Sequence, residues 1–306
     1  MLIECVPNFS EGRDAARIAA LEQAIASTPG ALLLHRTSDP DHNRTVVTFA
    51  GDRRAVIEAA IRAAAKAAEL IDLNRHRGVH PRLGALDVLP FVPLEGATLE
   101  ICAAIAHEAG ARIWDELGIP VYFYQAAALR PDRVQLENVR RGQFEYLREA
   151  VLVDESKRPD VGGPALHPTA GAVIVGGRKL LVAYNVNLNT TDLDVAKFIA
   201  KRVRTSGGGL PAVKALGLPL PSRGLVQVSM NLTDFEVTPP HVVFAEIFRL
   251  AASRDVEIAE SELIGLMPSR AMELAAAHCL RLLHFDSLSV LENRMRAVGG
   301  RADSVL

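Results

Sequence analysis

The stretch His76–Leu94, HRGVHPRLGALDVLPFVPL, sets His76, Arg77, His80 and Arg82 among Gly78, Pro81 and Gly84 and closes as an apolar run. Its second half, Asp87–Val92, reads as a buried strand. Pro81 pushes His80 toward extended backbone and denies it a helix, and the glycines admit turns that other residues resist. A stiffened basic loop therefore leads straight into a strand. Loops at strand ends on a rigid scaffold are where reactive groups usually sit. Two readings stay open. The loop is a solvated basic turn, or it presents His80 as a proton carrier, for which an ordinary pKa of about 6.5 is well suited. His76, beside Arg75 and Arg77, reads as a surface position.

Outward from this stretch, strands and helices alternate. Leu2–Val6 and Val121–Tyr124 read as strands, Ala31–Leu34 as a buried strand, and Thr45–Ala50 as another, rich in β-branched residues. Helical spacing marks Asp14–Ser27, Arg53–Leu70, Leu99–Leu117 with Gly118 as its stop, and Arg133–Arg148. Between Val151 and Thr169 the periodicity lapses around Pro159, Gly162-Gly163-Pro164 and Pro168, which marks the boundary between residues 1–160 and 161–306. Beyond it, Ala172–Val175 and Leu180–Val186 read as a hairpin around Gly176-Gly177. Thr191 and Asp194 form a capping box for a helix to about Arg204. Leu225–Leu232 and Val256–Ile258 read as strands. His241–Ala252 and Ser269–Leu280 read as helices, with a short one after Ser287. The pattern predicts an α+β chain of two related α/β-sandwich halves, each a sheet with helices on one face.

Composition narrows the chemistry. A net charge of −2 and 5% aromatic residues give no reason to expect nucleic acid or an anionic membrane as partner. No apolar run approaches the roughly 18 residues of a membrane span, and MLIECVPNFSEG has no signal-peptide character. Cys5, Cys102 and Cys279 are far apart and form no CxxC, which points to a reducing compartment, the cytoplasm. His76 and His80 are four apart, but Pro81 denies them a shared helix face, and no HExxH is present, so no metal is expected. VGGRK and SGGGLPAVK are incomplete as phosphate loops, and Ser10 has no GxSxG context.

The strings ECVPNFSEGRD (Glu4–Asp14), HNRTVVTFAG (His42–Gly51) and HRGVHPRLGALDVLPFVPL resemble, in order and spacing, the glutamate formiminotransferase family. The resemblance continues through GRKLLVAYNVNL (Gly177–Leu188), VQVSMNLTDFEVT (Val226–Thr238) and ELIGLMPSRA (Glu262–Ala271), so it covers nearly the whole chain. It implies two subdomains of ferredoxin-like flavour, a homodimer, and transfer of a formimino group from N-formiminoglutamate to N5 of tetrahydrofolate. It also implies the stand-alone transferase, without a cyclodeaminase domain. The family's essential histidine corresponds to His80. Its folate-contacting segment corresponds to Gly163, Pro164, Ala165, Leu166, His167, Pro168, Thr169, Ala170 and Gly171, one residue shorter than the family form, with Ala170 at a position that is bulky in the family. Val79 and His35 occupy positions where the family carries acids.

The reaction joins two carboxylate-bearing substrates, so arginines are expected in the site, and Arg44 and Arg82 lie in matched motifs. Each could instead form an ion pair that stiffens its loop. Asn185 and Asn187 could hydrogen-bond the pterin or glutamate, or terminate a strand; Asn8, after the first strand, carries the same two readings. Folate, taken to touch both the His80 loop and a linker joining the halves, is expected at their junction. A folate-binding protein without turnover, and a transferase using another formimino or formyl donor, remain alternatives.

Overall fold

The computed structural model describes residues 1–297. The chain divides into two compact units: Met1–Leu180 with Leu218–Leu225, and Leu181–Gly217 with the described residues from Val226 onward. The division falls after Leu180 and not at residue 160, because the segment expected to open the second half is built into the first sheet.

The first unit begins with β1 (Ile3–Cys5) and β2 (Asn8–Phe9), one strand line bent at Pro7, then α1 (Ala15–Ala26), capped by Asp14. There follow β3 (Leu32–Asp39), β4 (Arg44–Gly51), α2 (Arg53–Leu70), β5 (Leu86–Pro93), α3 (Leu99–Leu117) and β6 (Val121–Gln125). The unit closes with α4 (Leu136–Val139), α5 (Gln143–Val153) and β7 (Val173–Gly177). The 7-stranded sheet is mixed: β4 pairs antiparallel with β1, β2 and β3, while β7 lies between β5 and β6 and runs parallel to both. Parallel neighbours need long crossovers, and α3 and the α4–α5 segment provide them. The buried faces of α1, α2 and α3 supply Leu21, Ile57, Ala60, Ala64, Ile105 and Ile113 to a core shared with Phe9, Phe49, Phe91 and Ile174 of the strands.

Several expectations are corrected. β7 forms no hairpin with the next strand, because its glycines serve packing and not a turn. A Cβ on Gly176 would run into the Tyr124 ring, and one on Gly177 would meet Ala103 and Cys102 of α3. The helix expected over Arg133–Arg148 is broken, since Gly142 and Gln143 both have positive φ, +88° and +58°. Leu32–Leu34 are exposed and not buried, because β3 pairs only with β4.

The second unit is built on β8 (Val182–Leu188), α6 (Leu193–Val203), β9 (Val213–Leu220), β10 (Leu225–Leu232), α7 (Pro240–Ala252), β11 (Ile258–Ile264), α8 (Ser269–Cys279) and α9 (Leu291–Ala297), although the end of β9 and the start of β10, within Leu218–Leu225, group with the first unit. Its sheet runs β11-β8-β10-β9, with β8 antiparallel to both neighbours. Val186 and Val228 alternate with Asn187 and Gln227, so one face packs on α6 and α7 and the other is polar. The α6 cap is Asp192, whose carboxylate accepts from Asp194 N–H, and not Thr191. β9 is an addition to the expected elements. Gly217 and Pro219 mask it in the sequence, but its place at the sheet edge tolerates proline.

Candidate functional site

His80 is held where the loop after α2 turns into β5. Its Nδ1 lies 2.8 Å from the Pro81 carbonyl oxygen. A carbonyl can only accept, so Nδ1 carries the proton and the neutral ring has its lone pair on Nε2. The same carbonyl accepts from Arg140 Nη1 at 2.9 Å. That nitrogen also donates to Asp87 Oδ2 at 2.8 Å, and Arg44 Nη1 donates to the same oxygen at 2.8 Å. Asp87 Oδ1 accepts from the Leu83 amide at 2.7 Å and the Gly84 amide at 3.4 Å. Asn8 Oδ1 accepts from Arg44 Nη2 at 2.9 Å and Nε at 3.2 Å, and Asn8 Nδ2 is tied to the Val6 carbonyl. His80, Arg44 and Asn8, three of the residues expected in the site, thus belong to one network. The His42 ring lies 5.6 Å from the His80 ring, centre to centre.

Two guanidiniums against one carboxylate leave the network electropositive. Burial opposes the Asp87 charge, but Arg140, Arg44 and the Leu83 amide together hold its carboxyl below the usual range. His80 is pushed well below the ordinary histidine value, first by burial, then by Arg44, Arg140 and His42, against the Pro81 hydrogen bond. The site offers a neutral imidazole base beside fixed positive charge.

Arg82 is drawn elsewhere. Its fork takes both oxygens of Glu145 at 2.7 and 2.6 Å, and its Nε donates to His76 Nδ1 at 3.1 Å. The Arg82 pairing holds the Glu145 carboxyl down at about 2. Of the two readings of Arg82, the geometry displays the ion pair. His76 is a buried strut and not a surface residue: its Nε2 reaches the Asn43 carbonyl at 2.9 Å while Nδ1 serves Arg82. Val79, half-buried, donates its amide to Asp41 O at 3.1 Å, and His35 sits on β3.

The segment Gly163–Gly171 is folded into the first unit. Leu73 N–H donates to Thr169 O, Ala85 N–H to Ala170 O, and Asn74 Nδ2 to Pro168 O at 2.9, 2.9 and 3.0 Å. Both flanks of the His80 loop are therefore stitched to this segment, which is part of the first unit and not the linker between halves expected from the sequence. Leu166 and Ala170 are core residues, whereas Gly163, Pro164, Ala165 and Pro168 are exposed and His167 and Thr169 half-buried. His167 Nδ1 accepts from the Ala170 amide at 3.0 Å. Gly171 has φ +71°, and a Cβ there would meet the Leu83 carbonyl oxygen. Gly171→Ala is expected to lower unfolding free energy by about 2 kcal/mol or more in urea titration; an unchanged midpoint would mean the strand junction relaxes freely.

Asn185 and Asn187 lie inside β8, so they do not terminate it. Asn187 Nδ2 donates to Glu262 at 2.7 Å and Glu260 at 3.1 Å, and its Oδ1 accepts from Gln227 at 2.9 Å. They belong to the second unit, whereas the His80 network is in the first. Among the described residues no three His, Cys, Asp or Glu side chains gather as a metal site, and no helix is long and apolar enough to cross a membrane.

Asp87 and Arg140 were not singled out from the sequence. The signal for Asp87 was present: a charged residue heading a strand that must be buried demands a cationic partner. Arg140 had none, because its position depends on the chain break after α4.

His76, His80, His167 and His241 all have pKa values below the ordinary one, with burial the largest cause for each. The folded state therefore binds fewer protons than the unfolded chain once pH falls below about 6.5. Stability should be fullest above that value and decline as pH drops toward the folded-state values. The urea midpoint at pH 5.5 is expected to lie below that at pH 7.5; equal midpoints would contradict the neutral state of these wholly or partly buried rings.

The family model described as the formiminotransferase domain, N-terminal subdomain, matches residues 2–178, and that of the formiminotransferase domain matches 183–297. A glutamate formimidoyltransferase from Thermoplasma acidophilum is 46% identical over 297 residues, 96% of this chain and 97% of its own length. One from Streptococcus pyogenes is 44% identical, covering 96% and 98%. The formimidoyltransferase-cyclodeaminase of Sus scrofa is 43% identical over 98% of this chain, which spans 56% of that protein.

Proposed function

The chain belongs to the formiminotransferase family, and on that premise we propose that it carries the formimino group of N-formimino-L-glutamate to N5 of tetrahydrofolate, giving 5-formiminotetrahydrofolate and glutamate. The observation that carries this reading is His80, whose Nδ1–H is engaged and whose Nε2 is a base beside Arg44 and Arg140. N5 attacks the formimino carbon and gives its proton to Nε2 as the tetrahedral adduct forms. The resulting imidazolium then protonates the departing glutamate nitrogen, which breaks the carbon–nitrogen bond and restores the neutral ring. Proton transfer of this kind contributes about 10²–10⁴-fold, and holding the two substrates together supplies much of the remainder. The electropositive network suits two carboxylate-bearing substrates.

The exposed residues Gly163–Ala165 and Pro168 are the surface the folate segment offers to a flat pterin. The reading places the enzyme in histidine breakdown and one-carbon metabolism, in the cytoplasm and as a homodimer. Tetrahydrofolate is a co-substrate, with no resident metal and no nucleic acid or membrane partner. The test is direct: purified protein with both substrates should accumulate 5-formiminotetrahydrofolate and free glutamate in equal amounts. Folate binding without product would overturn it.

A further inference from the structure

Two hydrogen bonds converge on a backbone atom that touches the reacting ring, and a third ties one of their donors to a buried carboxylate. The Pro81 carbonyl oxygen accepts from His80 Nδ1 at 2.8 Å and from Arg140 Nη1 at 2.9 Å, and the other hydrogen of that same Nη1 goes to Asp87 Oδ2 at 2.8 Å. Asp87 is wholly buried and anchored by the Leu83 amide and by Arg44. Its position on β5 is fixed by the sheet, whereas Pro81 lies in an irregular loop.

We propose that Arg140 is a positioning residue for the transfer reaction: by bridging the buried Asp87 carboxylate and the Pro81 carbonyl, it fixes the oxygen that holds the His80 ring with Nε2 free. The proposal rests on the reading of His80 as the transfer base.

Arg140 acts on the ring in two ways. The first is orientation. A loop carbonyl restrained only by its own backbone can turn to solvent, and a ring bonded to it turns with it. Arg140 couples that carbonyl to a strand residue, so the ring inherits the rigidity of the sheet. Misplacement of a reacting group by about 1 Å can cost about 10²-fold in rate. The second is charge. A guanidinium bonded to the carbonyl weakens it as an acceptor for imidazolium, so Arg140 keeps the ring in the form that can take a proton. The charged or titratable groups facing His80 are Arg44 from β4, His42 from the β3–β4 turn and Arg140 after α4. Asp87 neutralises part of the two arginines and is the same whether or not Arg140 is present. Removing Arg140 leaves Asp87 paired with Arg44, so the carboxylate keeps a cationic partner.

A merely structural Arg140 would tie α4 to β5 and leave the ring's titration untouched. The discriminating experiment is NMR titration of the 15N-labelled His80 ring in the ligand-free protein, assigned with His80→Gln. In Arg140→Met the ring's titration should move up by about half to one pH unit, and its neutral form should shift from Nδ1–H toward a mixture of tautomers. The rate of formimino transfer should fall about tenfold or more. If Arg140→Met does not fold, Arg140→Lys serves. It keeps the charge, so the titration stays near wild type while the tautomer mixture still appears. An unchanged titration and unchanged tautomer in Arg140→Met, or an unchanged tautomer in Arg140→Lys where that variant is used, overturns the proposal. A wild-type protein that transfers no formimino group yet shows the Arg140-dependent tautomer counts against the transfer reaction and supports the Arg140–His80 link.

Discussion

His80→Ala is expected to lower the rate of formimino transfer by at least about a hundredfold while folate affinity stays within a few-fold. The ring stands in this network with Nε2 as its basic nitrogen, and its hydrogen-bond partner, the carbonyl of the next residue, can neither take nor give the proton in its place. Removing a general acid–base group costs about 10²–10⁴ in rate, whereas binding energy spread over a pterin and its glutamate tail does not depend on one imidazole. Comparing kcat with the dissociation constant for tetrahydrofolate separates the two effects. A loss of rate below about tenfold would remove His80 from the proton-transfer step.

Asp87→Ala should have the largest effect on stability of any single change in the site. The carboxylate is fully buried and takes hydrogen bonds from two guanidiniums and a backbone amide. Deleting it leaves Arg44, itself buried, beside Arg140 with no intervening charge and leaves the Leu83 amide without its acceptor. Removing one partner of a buried ion pair costs about 3–5 kcal/mol, a large fraction of a domain's total. Urea unfolding should show that loss, and activity should vanish with it, since His80 is held through the same network. A destabilisation of less than about 1 kcal/mol would show that water satisfies the two arginines and that Asp87 is no keystone.

What the sequence made legible follows from which forces are local. α2 and α3 were readable to within a residue because long amphipathic runs bounded by Asp52, Thr98 and Gly118 carry their own periodicity and caps. The irregular loop that carries His80 into β5 was readable because Pro81 and the glycines restrict it. β9 was not, since Gly217 and Pro219 break the strand pattern and only pairing with β10 rescues it. The place of β7 was not, since it depends on Tyr124 needing space above Gly176. His76 and Arg82 were misjudged or left open for a similar reason. Their partners, Asn43 and Glu145, are 33 and 63 residues away, and no short-range pattern reports such a pairing. The resemblance to a family pointed to the His80 loop, but the buried Asp87–Arg140 support beneath it emerged only with three-dimensional contacts.

In the proposed reaction a neutral His80, kept so by burial and by the arginines, takes the proton from N5. The measurement that tests it most directly is the pH dependence of kcat/KM for formimino transfer. An acid limb is expected with an apparent pKa below about 6.5, the ordinary histidine value, and it should disappear in His80→Gln along with most of the rate. An acid limb that persists unchanged in His80→Gln, or full activity in that variant, would contradict it.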